Sequence, residues 1–306
     1  YTPEEIISRL ELKPVTQYQS EIISSPLEPS VVIAGAGSGK TETMSNRVLY
    51  LVANGFVTPD QILGLTFTRK AAGELSVRIR KRLRQLAAHK DFKHITSTAT
   101  SVTTYHSYAG KLLSEHAIRY GIDADAEPLG EAAIWQIASD VVRNWSDDSY
   151  RNQSAVSTVI KDLLGLSKLM LEHQVKAEDI ERIGNEVLLS LQPLTGSSNA
   201  EVRDVAKAMR QRNSLLPMVE VFMQRRKAAG EFSFDDQMSL AADIAQNFED
   251  VGVLERGKYK VVLLDEYQDT SQSQVRMLSS LYGGGHPVMA VGDPSQAIYT
   301  WRGASA

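Results

Sequence analysis

Residues 35–41 read Gly-Ala-Gly-Ser-Gly-Lys-Thr and follow directly on the apolar run Val31-Val32-Ile33. Small residues at Gly35, Ala36, Gly37, Ser38 and Gly39 let successive backbone N–H groups wrap an anion at the start of a helix, where the helix dipole also favours negative charge. Lys40 is then expected to reach the β- and γ-phosphates of a nucleotide, and the Thr41 hydroxyl to ligate Mg²⁺. The strict spacing of such a loop begins on Gly, whereas Ala34 stands here; from Gly35 onward the pattern is intact. A site of this kind needs a distant acid for its metal ion. Asp265-Glu266 follows the apolar run 261–264, and ligands of open α/β sheets gather outside the carboxyl ends of the strands. Asp265 is expected to hold Mg²⁺ and Glu266 to polarise an attacking water as general base. Taken singly, the first string could be a glycine-rich turn with a solvated lysine and the second a solvated acidic turn. Their pairing is what points to ATP with Mg²⁺.

Elements must place these groups together. Short runs rich in Val, Ile and Leu recur at 31–34, 62–66, 101–104, 261–264 and 288–291, and unbroken apolar runs of this length read as strands buried on both faces. Helical stretches lie between the early ones. Residues 40–54 follow the first strand, and 69–89 carry Ala72, Leu75, Ile79, Leu83 and Leu86 at close to helical spacing. Strand and helix in alternation imply an α/β fold with a parallel sheet. From 111 to 229 the strand signal fades and helical patterns take over, broken by turn-rich stretches at 123–128, 144–148 and 196–199. The sheet is therefore expected to come from two segments, 1–110 and 230–306, interrupted by an inserted all-helical subdomain, 111–229.

The 306 residues are 42% hydrophobic and 23% charged, an ordinary globular balance with length for two domains. The chain has no cysteine, which rules out disulfides and thiolate metal sites and fits a reducing compartment. No run approaches the roughly 18 apolar residues of a membrane span, and the first residues lack a signal layout; the expectation is a cytoplasmic protein with no membrane partner. A Tyr rather than a Met at position 1, and a last motif followed at once by Gly303-Ala304-Ser305-Ala306, predict a piece of a longer protein. Net charge is −4, yet from Arg69 to Lys93 nine Lys and Arg face only Glu74 and Asp91. Nucleic-acid binding depends on where charge sits, not on the total.

Several strings, in order along the chain, resemble one family: superfamily 1 helicases of the UvrD/PcrA/Rep type. Asp265-Glu266-Tyr267-Gln268-Asp269-Thr270 is similar to that family's D-E-F-Q-D-T, and 291–304, Val-Gly-Asp-Pro-Ser-Gln-Ala-Ile-Tyr-Thr-Trp-Arg-Gly-Ala, to its V-G-D-x-x-Q-S-I-Y-x-W-R-G-A. Thr66-Phe67-Thr68-Arg69-Lys70-Ala71-Ala72 is similar to T-F-T-N-K-A-A, Thr104-Tyr105-His106-Ser107 to T-F-H-S, and Phe234-Asp235-Asp236 to F-D-D. The resemblance implies a RecA-like P-loop NTPase domain, with the helical insertion matched only in length and character. It implies that Gln19 reads the adenine edge, that Gln296 senses the γ-phosphate, and that Arg302 couples the nucleotide and DNA sites. It also implies single-stranded DNA and single-strand/duplex junctions as partners. There Phe67, Tyr299 and Trp301 would stack or wedge, with Thr66, Arg69, Lys70 and His106 along the backbone. Aromatic faces accept any base and cations track phosphates, as a translocating motor requires. On their own, Phe67 and Trp301 read equally as core residues. A second RecA-like domain of the same protein would supply arginines to the γ-phosphate, movement would run 3′ to 5′, and the chain alone would turn ATP over poorly.

The chain departs from the family pattern at three places. Arg69 replaces a usual Asn and adds charge to the supposed DNA face; Glu42 stands where many relatives carry Arg beside the nucleotide, which puts adenosine contacts on that side in doubt; Pro294 and Ser295 replace more acidic residues without a mechanistic account. Two basic stretches, Arg78 to Arg84 and the set Arg203, Lys207, Arg210, Arg225, Arg226 and Lys227, suit either DNA or a solvated helix face. Two other classes stay open: a motor joined to a nuclease domain, and a non-catalytic DNA-binding module with an ATPase fold.

Overall fold

Runs of Val, Ile and Leu without polar alternation must be covered on both faces, and parallel sheets meet that need. The computed structural model, which describes residues 1–95, 98–123, 125–146, 155–192 and 200–298, has five strands, β1 (Ser30–Ile33), β2 (Ile62–Thr66), β3 (Ser101–Thr104), β4 (Val261–Leu264) and β5 (Val288–Gly292), of which β1 is not covered on both faces as its apolar run predicts: Val31 and Ile33 are exposed. They form one parallel sheet in the order β1-β5-β4-β2-β3. Every residue of β2 and β4 is buried. Two strands from late in the sequence thus lie between β1 and β2, and the α/β fold with a parallel sheet is the one expected. Parallel register carries a consequence for chemistry: Ile33 is level with Gly292, Leu65 with Leu264, and Thr66 with Thr104, so the residues that follow all five strands emerge along one edge.

Five early helices accompany these strands. They are α1 (Pro3–Arg9), α2 (Gln17–Ser24), α3 (Lys40–Ala53), α4 (Arg69–Ala88) and α5 (Tyr105–His116). Capping boxes, in which a threonine and a residue three further on satisfy each other's backbone N–H, start α1 at Thr2 with Glu5 and α2 at Thr16 with Gln19. Met44, Val48, Leu51 and Val52 of α3 and Leu75, Ile79, Leu83 and Leu86 of α4 join Leu263 and Val291 in one core. Each such side chain contributes about 1.5–3 kcal/mol on leaving water. The guanidinium of Arg47, buried inside α3, donates to the carbonyls of Ile23 at 2.7 Å and Pro26 at 2.9 Å, which fastens the end of α2 to the helix that follows the glycine loop.

The chain divides into two compact units, one of Tyr1–Leu113 with the segment from Ala241 onward, the other Ser114–Leu240. In the second, helices Glu131–Arg143, Val156–His173, Ala177–Leu191 and Ala200–Ala228 enclose a core of Val142, Ile160, Leu163, Val219 and Phe222. Arg226 and Asp236, both buried, pair with each other, and Asp236 also accepts from the Ser233 backbone at 2.6 Å. Arg226 of the second basic stretch is thereby committed inside the protein, and Arg225 lies 3.9 Å from Asp140. The turn expected at 196–199 lies outside the described residues.

Candidate nucleotide and nucleic-acid site

The loop between β1 and α3 takes its shape from two glycines. Gly37 (φ +74°) and Gly39 (φ +86°) occupy the left-handed region, where a Cβ costs roughly 1–2 kcal/mol. Gly39 is also the residue that caps α3, and having no side chain it makes no cap bond to the helix's first N–H groups. Those donors carry the partial positive charge of the helix end. A Cβ on Gly39 would lie 3.0 Å from Gln19 Nε2, so this glycine serves packing as well as conformation. Gln19 itself is held at both ends: its carbonyl accepts from Thr16 N–H at 3.0 Å and its amide donates to Ser38 O at 3.0 Å. Beside it opens a cavity of about 380 Å³ whose lining includes Thr16, Tyr18, Gln19, Gly35, Ser38 and Lys40.

Lys40, first residue of α3, places its ammonium 3.7 Å from Glu266 Oε2. Glu266 sits past the end of β4 in a left-handed conformation (φ +53°), uncommon for a residue with a side chain and frequent at working sites. Its carboxylate also accepts from Gln268 Nε2 at 2.8 Å. Asp265 is 6% exposed; burial, followed by the charge of Glu266, pushes its pKa up to about 6, while the Glu266 N–H and Lys40 pull the other way. A carboxylate in that position is stabilised by a further cation. Thr41, one residue after Lys40, is half-buried. Mg²⁺ is usually held by one or two carboxylates with substrate phosphates and water completing the shell, and the Thr41 hydroxyl and the Asp265 carboxylate are groups of that kind. The uncapped helix end, the left-handed glycines and the buried Asp265 therefore fit a Mg²⁺-nucleotide.

Two residues without an assigned role from sequence knit this corner together. The Gln268 side chain accepts from Asp293 N–H at 3.0 Å, joining the end of β4 to the end of β5; a Cβ on Gly292 would fall 2.5 Å from that oxygen and 3.1 Å from the Gln268 nitrogen. Asp293 accepts from Ser295 N–H at 3.0 Å and from the Gln296 amide, and a Cβ on Gly35 would be 3.8 Å from its Oδ2. Both stand inside the motif strings quoted above. Strings show membership of a motif, not which side chain bridges two strands.

Further along the same edge lie the residues that follow β2 and β3. Arg69, Lys70 and His106 are exposed, Phe67 is half-buried, and Thr66 is buried. The Thr66 hydroxyl has no hydrogen-bond partner among the described residues, and reaching a DNA backbone from there requires the surface above it to open. Thr68 caps α4 by accepting from Ala71 N–H at 3.1 Å. On α4, Arg78 and Arg82 turn towards α3 and pair with Glu42, and Arg82 also donates to Asn46 at 2.8 Å. Position 42, acidic here, thus recruits two cations from the next helix, while Arg80, Lys81 and Arg84 remain exposed. Tyr299, Trp301 and Arg302 lie outside the described residues.

Residues 15–306 match the model of the UvrD/REP helicase N-terminal domain. The chain is similar to the ATP-dependent DNA helicase UvrD1 of Mycobacterium tuberculosis, with 31% identity over 284 residues, 90% of this chain and 32% of the relative. It is similar to DNA helicase II of Haemophilus influenzae, 28% identical over 286 residues, 94% of this chain and 34% of the relative. It is also similar to the ATP-dependent DNA helicase PcrA of Staphylococcus aureus, 27% identical over 288 residues, 94% and 34%. The chain spans about a third of the length of these curated relatives.

Proposed function

The chain belongs to the UvrD/REP helicase family through its N-terminal domain, and from that premise we propose that it is the ATP-binding half of a motor moving 3′ to 5′ on single-stranded DNA. One observation carries the reading. The glycine loop, Lys40, and the Asp265-Glu266 turn meet at the carboxyl edge of one sheet, with Lys40 and Glu266 3.7 Å apart, and the residues after β2 and β3 continue the same edge with the exposed Arg69, Lys70 and His106 around the half-buried Phe67.

In this proposal the backbone of Gly35, Ala36, Gly37, Ser38 and Gly39 cradles the phosphates, Gln19 faces the adenine, and Lys40 leaves Glu266 for the β- and γ-phosphates. Glu266, released from that pairing, orients and deprotonates the attacking water. Mg²⁺ held by Thr41 and Asp265 would neutralise charge developing between the β- and γ-phosphates. Gln296, tied to Asp293, registers the γ-phosphate. Phe67 stacks on bases while Arg69, Lys70 and His106 follow the phosphates, with Thr66 beneath them; Tyr299, Trp301 and Arg302 extend that face and couple it to the nucleotide. The helical unit is an insertion between two segments of the motor domain, as read from 111–229. A second RecA-like domain of the same protein closes over the nucleotide with arginines, groups that contribute about 10³ to 10⁵ in rate. The chain alone therefore binds ATP and turns it over slowly. Single-strand/duplex junctions are the substrate of the whole motor, and a cytoplasmic setting accompanies it. Among the described residues no helix is long and apolar enough to cross a membrane.

Steady-state ATP hydrolysis by this chain, with and without a single-stranded oligonucleotide and with Lys40→Ala as blank, tests the proposal. Low turnover that DNA barely stimulates, beside clear nucleotide binding, is expected. Strong DNA-stimulated turnover would show that the chain needs no second domain.

A further inference from the structure

One buried hydroxyl joins the two faces of the edge. Tyr105 opens α5 directly after β3, in the string where the family pattern T-F-H-S carries Phe, and it is fully buried. Its ring packs against Phe67 with centroids 4.9 Å apart and planes inclined at 51°. Its hydroxyl points to the nucleotide side, donating to the main-chain carbonyl of Asp265 at 3.3 Å. The next turn closes around the same place, Thr270 Oγ1 donating to Tyr267 O at 2.6 Å. A phenol buried this completely must satisfy its O–H or bear the cost of desolvating it, and it does so on the residue that begins the Asp265-Glu266 turn. Phenylalanine fills the same volume and makes no such bond.

We propose that Tyr105 is a positioning residue that couples the two sites: through ring contact with Phe67 and its hydrogen bond to Asp265, a base seated on Phe67 shifts the Asp265-Glu266 turn and so alters the affinity for nucleotide. This rests on the function proposed above. Phe67 is half-buried, so a base pressing on its outer face loads the inner face against Tyr105. The Tyr105 hydroxyl passes that displacement to the carbonyl and not to the carboxylate, which moves Asp265 as a backbone unit together with Glu266. Coupling of this kind is reciprocal, with nucleotide changing the affinity for DNA by the same factor.

The test uses this chain, a fluorescent non-hydrolysable ATP analogue with Mg²⁺, and an oligo-dT single strand, comparing the parent with Tyr105→Phe. The quantity read is the ratio of analogue dissociation constants without and with saturating DNA, and the reverse ratio for DNA. The parent is expected to show a ratio departing from one by about fivefold or more, and Tyr105→Phe a ratio within about twofold of one. A substitution that merely loosened the core would weaken the ligands singly and leave the ratio in place. Phe67→Leu, which keeps the Asp265 bond and removes the stacking ring, is expected to abolish the ratio from the other end. An unchanged ratio in Tyr105→Phe overturns the proposal, as does a parent ratio of one; in both cases, nucleotide binding that Lys40→Ala abolishes leaves the broader function standing. A parent that binds no nucleotide overturns both.

Discussion

The two stretches of the sheet's carboxyl edge are built in opposite ways. At the ends of β1, β4 and β5 polar groups are already engaged in a connected row: Gln19 with Ser38, Lys40 with Glu266, Glu266 with Gln268, Gln268 with Asp293, Asp293 with Gln296. Just beyond the ends of β2 and β3, where Thr66 and Thr104 are still buried, Arg69, Lys70 and His106 stand out in solvent, Lys70 with 87% of its side chain exposed, around one half-buried ring. A preorganised cluster suits a ligand of fixed shape, because its donors are aimed before binding and less ordering is lost. An open row of cations and an aromatic face suits a polymer that must slide, since neither contact depends on sequence or on a single register.

That contrast can be broken at either end. The largest effect is expected from Lys40→Ala, which removes a charge-assisted contact to phosphate and should weaken Mg²⁺-ATP binding by about 3 kcal/mol, roughly a hundredfold; isothermal titration reads it, and single-stranded DNA affinity should hardly change. Gly292→Ala strikes the frame rather than the ligand contacts. Its Cβ meets both the side chain and backbone of Gln268, and overpacking of this sort costs about 1–3 kcal/mol. A thermal melt should show a Tm lowered by several degrees, together with weaker nucleotide binding. Phe67→Ala belongs to the other stretch: loss of one stacked base is worth about 1–3 kcal/mol in DNA affinity by fluorescence anisotropy, with nucleotide binding in the absence of DNA near the parent's. Equal loss of both ligands would make Phe67 a core residue and blur the contrast. Smallest of all, Lys70→Ala should lower the slope of log affinity against log salt by about 0.7, the value for one contact to a single strand.

Where sequence was informative, a physical reason stands behind it. Strands β2 and β4 were legible at their full length because both faces are buried and the apolar run is unbroken; β1, at the sheet's edge with Val31 and Ile33 largely exposed, ends one residue before the expected 34. The inward stripe of α4 was legible in its spacing. The glycine loop was legible too, since glycine adopts the left-handed conformation at 37 and 39 without the steric cost a Cβ would add. What spacing does not encode is who bonds to whom across long separations. Glu42 pairs with Arg78 and Arg82 of the following helix, Gln19 spends its amide on Ser38, and Gln268 reaches Asp293 from another strand. Nor does a motif show depth: Thr66, read as a DNA contact, sits at 1% exposure because the strand continues through it.

The central claim is that the Lys40 and Asp265 corner is a working nucleotide site. Titration of Mg²⁺ with a fluorescent ATP analogue into the parent, Lys40→Ala and Asp265→Asn chains tests it most directly. The account predicts saturable binding by the parent that falls by about two orders of magnitude in Lys40→Ala and loses its Mg²⁺ dependence in Asp265→Asn. Indistinguishable curves for the three chains would contradict it.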